Sequence, residues 1–168
     1  MVEKRWFAPI ATGRVALRDP AHRLTREDWR LAAPAILRAA PIGVFVGAVP
    51  GLGSAISAYL NYGIARALSK HPERFGKGAI EGVAAAETGN NAVTGSTFIP
   101  MLTLGIPGDV ITAIMLGAFM VHGLVPGPAL FQDHGDFVAA FFVLMLTATF
   151  LHLIVGRLGL PLFIQAIK

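Results

Sequence analysis

Two features of this chain bring together residue types that can hold a small charged molecule. Asn90, Asn91, Thr94, Ser96 and Thr97 crowd amide and hydroxyl groups around Gly95, in a run with no charged side chain between Glu87 and Asp109. Each amide donates and accepts, and each hydroxyl does the same. Away from bulk water such groups must find protein, a trapped water or a ligand. The second feature is a repeated break: "PGLGSAISAYL" from Pro50 and "PGDVITAIML" from Pro107 both set Pro-Gly directly before a small-residue, β-branched helix start.

A helix that starts at such a break exposes backbone N–H groups that have no intrahelical partner, and its dipole places about half a positive charge there. An anion satisfies them, and the stretch Pro50, Gly51, Gly53 and Ser54 puts little side chain in the path of a carboxylate. At the second break, carbonyls freed around Gly105 and Ile106 suit a small cation, with Pro107 and Gly108 making the turn. Asp109 would strengthen that cation site, and would equally cap the following helix. The candidate substrate-binding residues are Pro50, Gly51, Gly53, Ser54, Asn90, Asn91, Thr94, Gly95, Ser96 and Thr97; the candidate ion-binding residues are Gly105, Ile106, Pro107, Gly108 and Asp109. Hydrogen bonding between packed helices is the competing use of the amide and hydroxyl cluster.

Enzyme chemistry has weaker support. Ser54 or Ser96 with His122 or His152 would make an intramembrane serine hydrolase, but the chain has no Gly-x-Ser-x-Gly elbow to strain a serine into reach. It has no cysteine and no histidine pair at i, i+4, which argues against thiolate chemistry and a helical metal site. The expectation is not an enzyme and no cofactor. A purely structural membrane subunit, whose glycines only allow close helix packing, is the remaining alternative.

The elements that must carry these residues follow from composition. Hydrophobic residues make up 54% and charged residues 14%, against the roughly 25% charge of a soluble domain. Uncharged runs cover 39–65, 88–108, 110–132 and 137–156, each close to the roughly 20 residues that cross a bilayer. The fold class expected is an all-α integral membrane protein, multi-span, with re-entrant or broken helices. Of the 14 basic residues, 8 precede residue 39, another group comprises Arg66, Lys70, Arg74 and Lys77, and none lies between Gly78 and Gly156. That asymmetry matches cytoplasmic loops of a membrane protein and not a nucleic-acid face, so no nucleic-acid partner is expected.

Residues 1–38 read as a basic cytoplasmic arm followed by an amphipathic helix, opened by a Thr25–Asp28 capping box and interrupted at Pro34. Residues 39–168 read as the transmembrane domain. Within it, 39–65 dips in and returns on the same side with "VPGLGS" at the turn, a single tilted span being the alternative. A short helix over 78–87 follows, then half-helices over 92–104 and 110–121 joined by "GIPGD", and a turn-rich external loop over 123–136. Phe137 to Gly156 reads as one span of ~30 Å, with Arg157 returning the chain to the cytoplasm and "LGLPLFIQAIK" opening another segment.

The ordered set "KHPERFGKGAIEGVAA", "NNA", "LTLGIPGD" and "GPALF" closely resembles the second half of the large membrane subunit of tripartite tricarboxylate transporters, the TctA family. The resemblance runs from about Leu24 to Lys168; Ala86 stands where members often have proline. It implies a multi-pass permease of the bacterial inner membrane that imports carboxylates by symport with Na+ or H+. It also implies two partners, a small membrane subunit and a periplasmic solute-binding protein. Family members have two related halves, each with a pair of Pro-Gly loops, so Pro50–Ser54 and Gly105–Asp109 correspond to the second. They are roughly three times as long, which makes this chain an incomplete second repeat, one half of a two-repeat fold.

Reporter fusions test the topology. The loop over 66–77, with four basic residues, is expected inside, and the loop over 123–136, with none, outside. Single cysteines introduced into this cysteine-free chain give the same readout, and external labelling within 66–77 would overturn the dip-and-return reading.

Overall fold

The computed structural model describes residues 24–166, with side chains through residue 160. Among the described residues every regular element is a helix: α1 Arg26–Ala48, α2 Gly53–Leu68, α3 Ile80–Ser96, α4 Phe98–Leu104, α5 Val110–Val121, α6 Pro128–Asp133 and α7 Gly135–Ala166, with one 3-10 turn at Pro72–Arg74. Two stretches, Arg26–Ala48 and Gly135–Leu160, are long and apolar enough to cross a membrane. The basic arm before Leu24 lies outside the described residues.

α1 opens with the capping box read from the sequence. The Thr25 hydroxyl accepts the Asp28 N–H at 3.1 Å, and an Asp28 carboxylate oxygen accepts the Thr25 N–H at 2.7 Å. The helix then runs through Pro34, Arg38 and Pro41 to Ala48 without a break. The amphipathic segment and the first apolar segment are thus one helix, and the division drawn between residues 38 and 39 falls inside it. The break comes at Val49–Leu52, where Pro50 removes a donor and Gly51 and Gly53 take φ of 85° and 67°. α2 then packs back beside α1, so a single straight helix over 39–65 is not what forms.

α3 departs from expectation. It is continuous from Ile80 to Ser96, so Asn90 and Asn91 are helical residues and not part of a loop, and the break before α4 falls at Thr97. The side chains that argued for a loop fold back on their own helix instead. Asn91 Nδ2 donates to the Glu87 carbonyl at 2.8 Å and the Ser96 hydroxyl to the Ala92 carbonyl at 3.1 Å. α7 also overruns its expected end, continuing past Gly156 and through Arg157 to Ala166. Arginine is a good helix former, and nothing between Phe137 and Leu160 breaks the backbone.

The packing is of two kinds. α3 lies against α1 and α2 through small residues: Ala35, Ala39, Gly43 and Gly47 form a row at intervals of four along α1, and Ala85, Gly89 and Val93 answer on α3. The approach is close enough that a Cβ on Gly43 would lie 2.7 Å from the Ala92 Cβ and 2.7 Å from the Gly89 carbonyl oxygen. A Cβ on Gly47 would collide with the Ser96 hydroxyl. Such seams hold helices by van der Waals contact where hydrophobic driving force is weak. The second core is aromatic. Phe98 on α4 meets Phe141 on α7 edge-on at 5.1 Å, Phe119 on α5 meets Phe137 at 5.2 Å, and Met101, Leu102 and Leu130 fill the space between.

Gly47→Val should separate α1 from α3 at a cost of about 1–3 kcal/mol, the usual range for overpacking, and lower the yield of folded protein by size-exclusion chromatography. Gly63→Ala on α2 has nothing within 4 Å and should gain up to about 1 kcal/mol in helix propensity. Equal yields for the two would show that the glycine seam does not hold α1 to α3.

Candidate ligand site between the two Pro-Gly loops

The two interrupted segments, 50-odd residues apart in sequence, meet in space. The Gly51 N–H donates to the Gly108 carbonyl at 3.0 Å. A Cβ on Gly53 would stand 4.0 Å from the Asp109 Cβ. Gly51 and Gly53 on one side and Pro107, Gly108 and Asp109 on the other line an open pocket of about 410 Å³, a size that suits a small molecule.

Local chemistry builds each wall. On the α2 side, Leu52 supplies no side-chain cap, so the first N–H groups of α2, at Gly53 and Ser54, meet the pocket end of the helix without an intrahelical partner. On the α5 side, Asp109 is a full N-cap. Its Oδ1 accepts the Thr112 N–H and hydroxyl, both at 2.8 Å, and its own N–H donates to the Thr112 hydroxyl oxygen at 2.9 Å. The capping role proposed from the sequence is therefore present. Both bonds to the Asp109 carboxylate in this cap go to Oδ1, leaving Oδ2 outside it.

Gly105 and Ile106 do not line this pocket. Gly105 closes α4 in the left-handed region, φ 68°, with its N–H on the Met101 carbonyl at 3.0 Å and the Ile106 N–H on the Pro100 carbonyl at 3.3 Å. The Gly127 N–H takes the Leu102 carbonyl at 2.9 Å. The carbonyls used in closing this helix end are those of Pro100, Met101 and Leu102, which precede the ones around Gly105 and Ile106 named for a cation.

The amide and hydroxyl cluster divides. Asn91, Thr94 and Gly95 face a separate open cleft of about 680 Å³, across which α7 presents Thr149 and His152. Ser96 is buried beneath Gly47 and bonded to its own helix. Thr97 is buried too, and is packed so tightly on Gly108 that a Cβ there would come within 2.9 Å of the Thr97 Cβ. Thr97 therefore buttresses the loop and does not line its pocket. Asn90 is half-buried and takes the Thr94 hydroxyl on its carbonyl at 3.5 Å. Among the described residues no serine hydroxyl bonds a histidine side chain.

Three buried polar residues escaped the sequence reading. The Ser57 hydroxyl donates to the Gly89 carbonyl at 2.9 Å, fastening α2 to α3, and Asn61 Nδ2 donates one turn back on α2 to the Ser57 carbonyl at 2.9 Å. Their signal is the spacing of Ser57, Asn61 and Ala65 at intervals of four on one helix face. Glu81, on the first turn of α3, accepts the Ser69 hydroxyl at 3.4 Å on Oε1 and is buried. An acidic residue within a run of alanine and glycine was the signal available there.

Comparison with known proteins bears on what this geometry serves. Residues 8–168 match the family described as the tripartite tricarboxylate transporter TctA family. Two relatives come from Agrobacterium vitis. One, described as an uncharacterized 52.8 kDa protein in the TAR-I ttuC' 3'region, is 45% identical over 105 residues, which is 62% of this chain and 21% of that protein. The other, described as an uncharacterized protein in the TAR-II ttuC' 3'region, is 46% identical over 86 residues, 51% of this chain and 36% of that protein. The chain thus spans about a fifth and about a third of the length of these relatives. No solved structure matches. With the match running over all but the first seven residues, the chain belongs to the TctA family of tripartite tricarboxylate transporters.

Proposed function

We propose that this chain forms part of the membrane permease of a secondary, ion-coupled transporter that imports tricarboxylates or related carboxylates across a bacterial inner membrane. In this reading residues 39–168 belong to a multi-pass permease domain that works with a small membrane subunit and a periplasmic solute-binding protein. The observation that carries it is the 3.0 Å bond from Gly51 to Gly108, which joins two helix breaks around one pocket. Paired interrupted helices are how many secondary transporters present backbone charge to a substrate and an ion.

The division of labour follows from the chemistry of the two walls. The uncapped start of α2 offers N–H groups and dipole to a substrate carboxylate. Opposite, Asp109 Oδ2 and the Pro107–Gly108 backbone offer oxygen to Na+ or a hydrated proton. Thr97 holds the second wall in place by pressing on Gly108. The cleft at Asn91, Thr94 and Gly95 would then serve the route to or from this pocket.

Asp109→Asn separates capping from ion binding, because asparagine caps helices about as well as aspartate. In the complete transporter the variant should keep its thermal stability while the ion concentration for half-maximal uptake rises about tenfold, equivalent to ~1.4 kcal/mol. Unchanged ion dependence would leave Asp109 as a cap alone.

Straightening the second break tests the site as a whole. Gly105→Ala with Pro107→Leu removes propensity penalties of about 1 and 3 kcal/mol and should fuse α4 to α5. Membrane insertion should persist, since fewer backbone groups need partners. Uptake per assembled complex should be lost, and normal uptake by the straightened protein would sink the binding role of these loops.

A further inference from the structure

At the opposite end of α2 and α3 from the Pro-Gly pocket lies a second carboxylate, whose chemistry is incomplete. Glu81 is 6% exposed, and its Oε2 has no hydrogen-bond partner among the described residues. Its Oε1 has one, the Ser69 hydroxyl at 3.4 Å, and that hydroxyl also accepts the His71 N–H at 3.1 Å. Aromatic rings pack on the neighbouring position. Phe75 and Tyr62 meet edge-on at 5.3 Å, and both press on Gly82, the next residue, where a Cβ would lie 2.9 Å from each ring.

No cation among the described residues is paired with this charge. The basic and imidazole groups of the flanking segments are Arg26, Arg30 and Arg38 on α1, Arg66 on α2, and Lys70, His71, Arg74 and Lys77 in the connecting loop, and all of them stand exposed. The ion pair found among the described residues joins His71 to Glu73 at 3.4 Å and leaves Glu81 out. A carboxylate withdrawn from water with an empty oxygen is strongly unfavourable until something neutralises it. The burial of Oε2 leaves no room for a bulky ligand, and an anion would be repelled. What remains is a small cation with no side chain of its own.

We propose that Glu81 is a binding site for a monovalent cation, H+ or Na+, that moves with the substrate. It is a second ion site, separate from the Asp109 loop. A proton would turn Oε2 into a hydroxyl and cancel the charge; Na+ would take Oε2 as a ligand. Either one removes the buried charge at the start of α3, the helix that packs on both α1 and α2. Because Glu81 is buried and bonded to Ser69, loading and unloading require local movement at this end of α3. The coupling role rests on the permease reading above, whereas cation binding does not.

The test uses the complete transporter carrying Asp109→Asn, so that the loop carboxylate is silent. Thermal stability is measured while Na+ replaces choline at fixed ionic strength, and separately while pH is lowered from 8 to 6. The expected result is a rise in melting temperature in one of the two series, whose arm identifies the ion. Adding Glu81→Gln, which keeps the shape and removes the charge, should abolish that response. Adding Ser69→Ala should weaken it and leave Glu81 in place. An undiminished response in the Glu81→Gln protein, or none in either series before the change, overturns the site. Uptake of citrate, tartrate and succinate into vesicles then tests the coupling. With Glu81→Gln alone, accumulation against a gradient should fall about tenfold or more while exchange, which needs no net cation movement, continues. Normal accumulation with a lost stability response would overturn the coupling role and keep the cation site. Failure of the unmutated complex to carry any of the three would overturn the carboxylate reading, again without touching the stability result.

Discussion

A helix cannot be interrupted without leaving backbone N–H and carbonyl groups that must be satisfied by something else. That constraint organises this chain. The break at Val49–Leu52 and the break at Gly105–Asp109 are each resolved partly within themselves, by the left-handed Gly105 closing α4 and by Asp109 capping α5. They are resolved partly by each other, through Gly51 and Gly108. What neither satisfies, the start of α2, faces the pocket. A surface of unpartnered backbone N–H groups is therefore left over where two breaks have been placed side by side, with no charged side chain on the α2 wall.

Bringing the breaks together is the work of the small-residue seam. α1 can lie against α3 closely enough because Gly43 and Gly47 have no Cβ, and α2 is fastened to the same helix by the Ser57–Gly89 bond, with Asn61 packed against the bare Gly89. Thr97 then carries the position of α3 into the second loop by filling the space over Gly108. The aromatic core of α4, α5, α6 and α7 anchors the other side of that loop. Small residues on one side and rings on the other fix the loops from two directions.

The sequence revealed the features that depend on local chemistry. Pro-Gly, Thr25–Asp28 and Asp109 act within a few residues, so both breaks and both capped starts could be read directly. The pairing of the loops could not, because no local signal says that Gly51 will meet Gly108. The Asn90–Asn91 stretch misled for a physical reason: its polar side chains satisfy themselves on carbonyls one turn back, and Gly89 is held in the helix by contact with α2. Tertiary packing there overrides propensity. The end of α7 was missed because a change of charge at Arg157 is a statement about membrane sides and not about backbone. Membership in the transporter family was legible from the ordered motifs, since these span the chain and not a single site.

The clasp between the loops is one neutral hydrogen bond. Such a bond contributes about 1 kcal/mol net, which favours the closed arrangement over the open one only about fivefold, since RT is near 0.6 kcal/mol. That bond adds little to what the packing of Thr97 on Gly108 already fixes. In the proposed permease a ligand that prefers the parted loops by a single order of magnitude would be enough to offset it, where a salt bridge or a packed ring at the same place would have locked the joint.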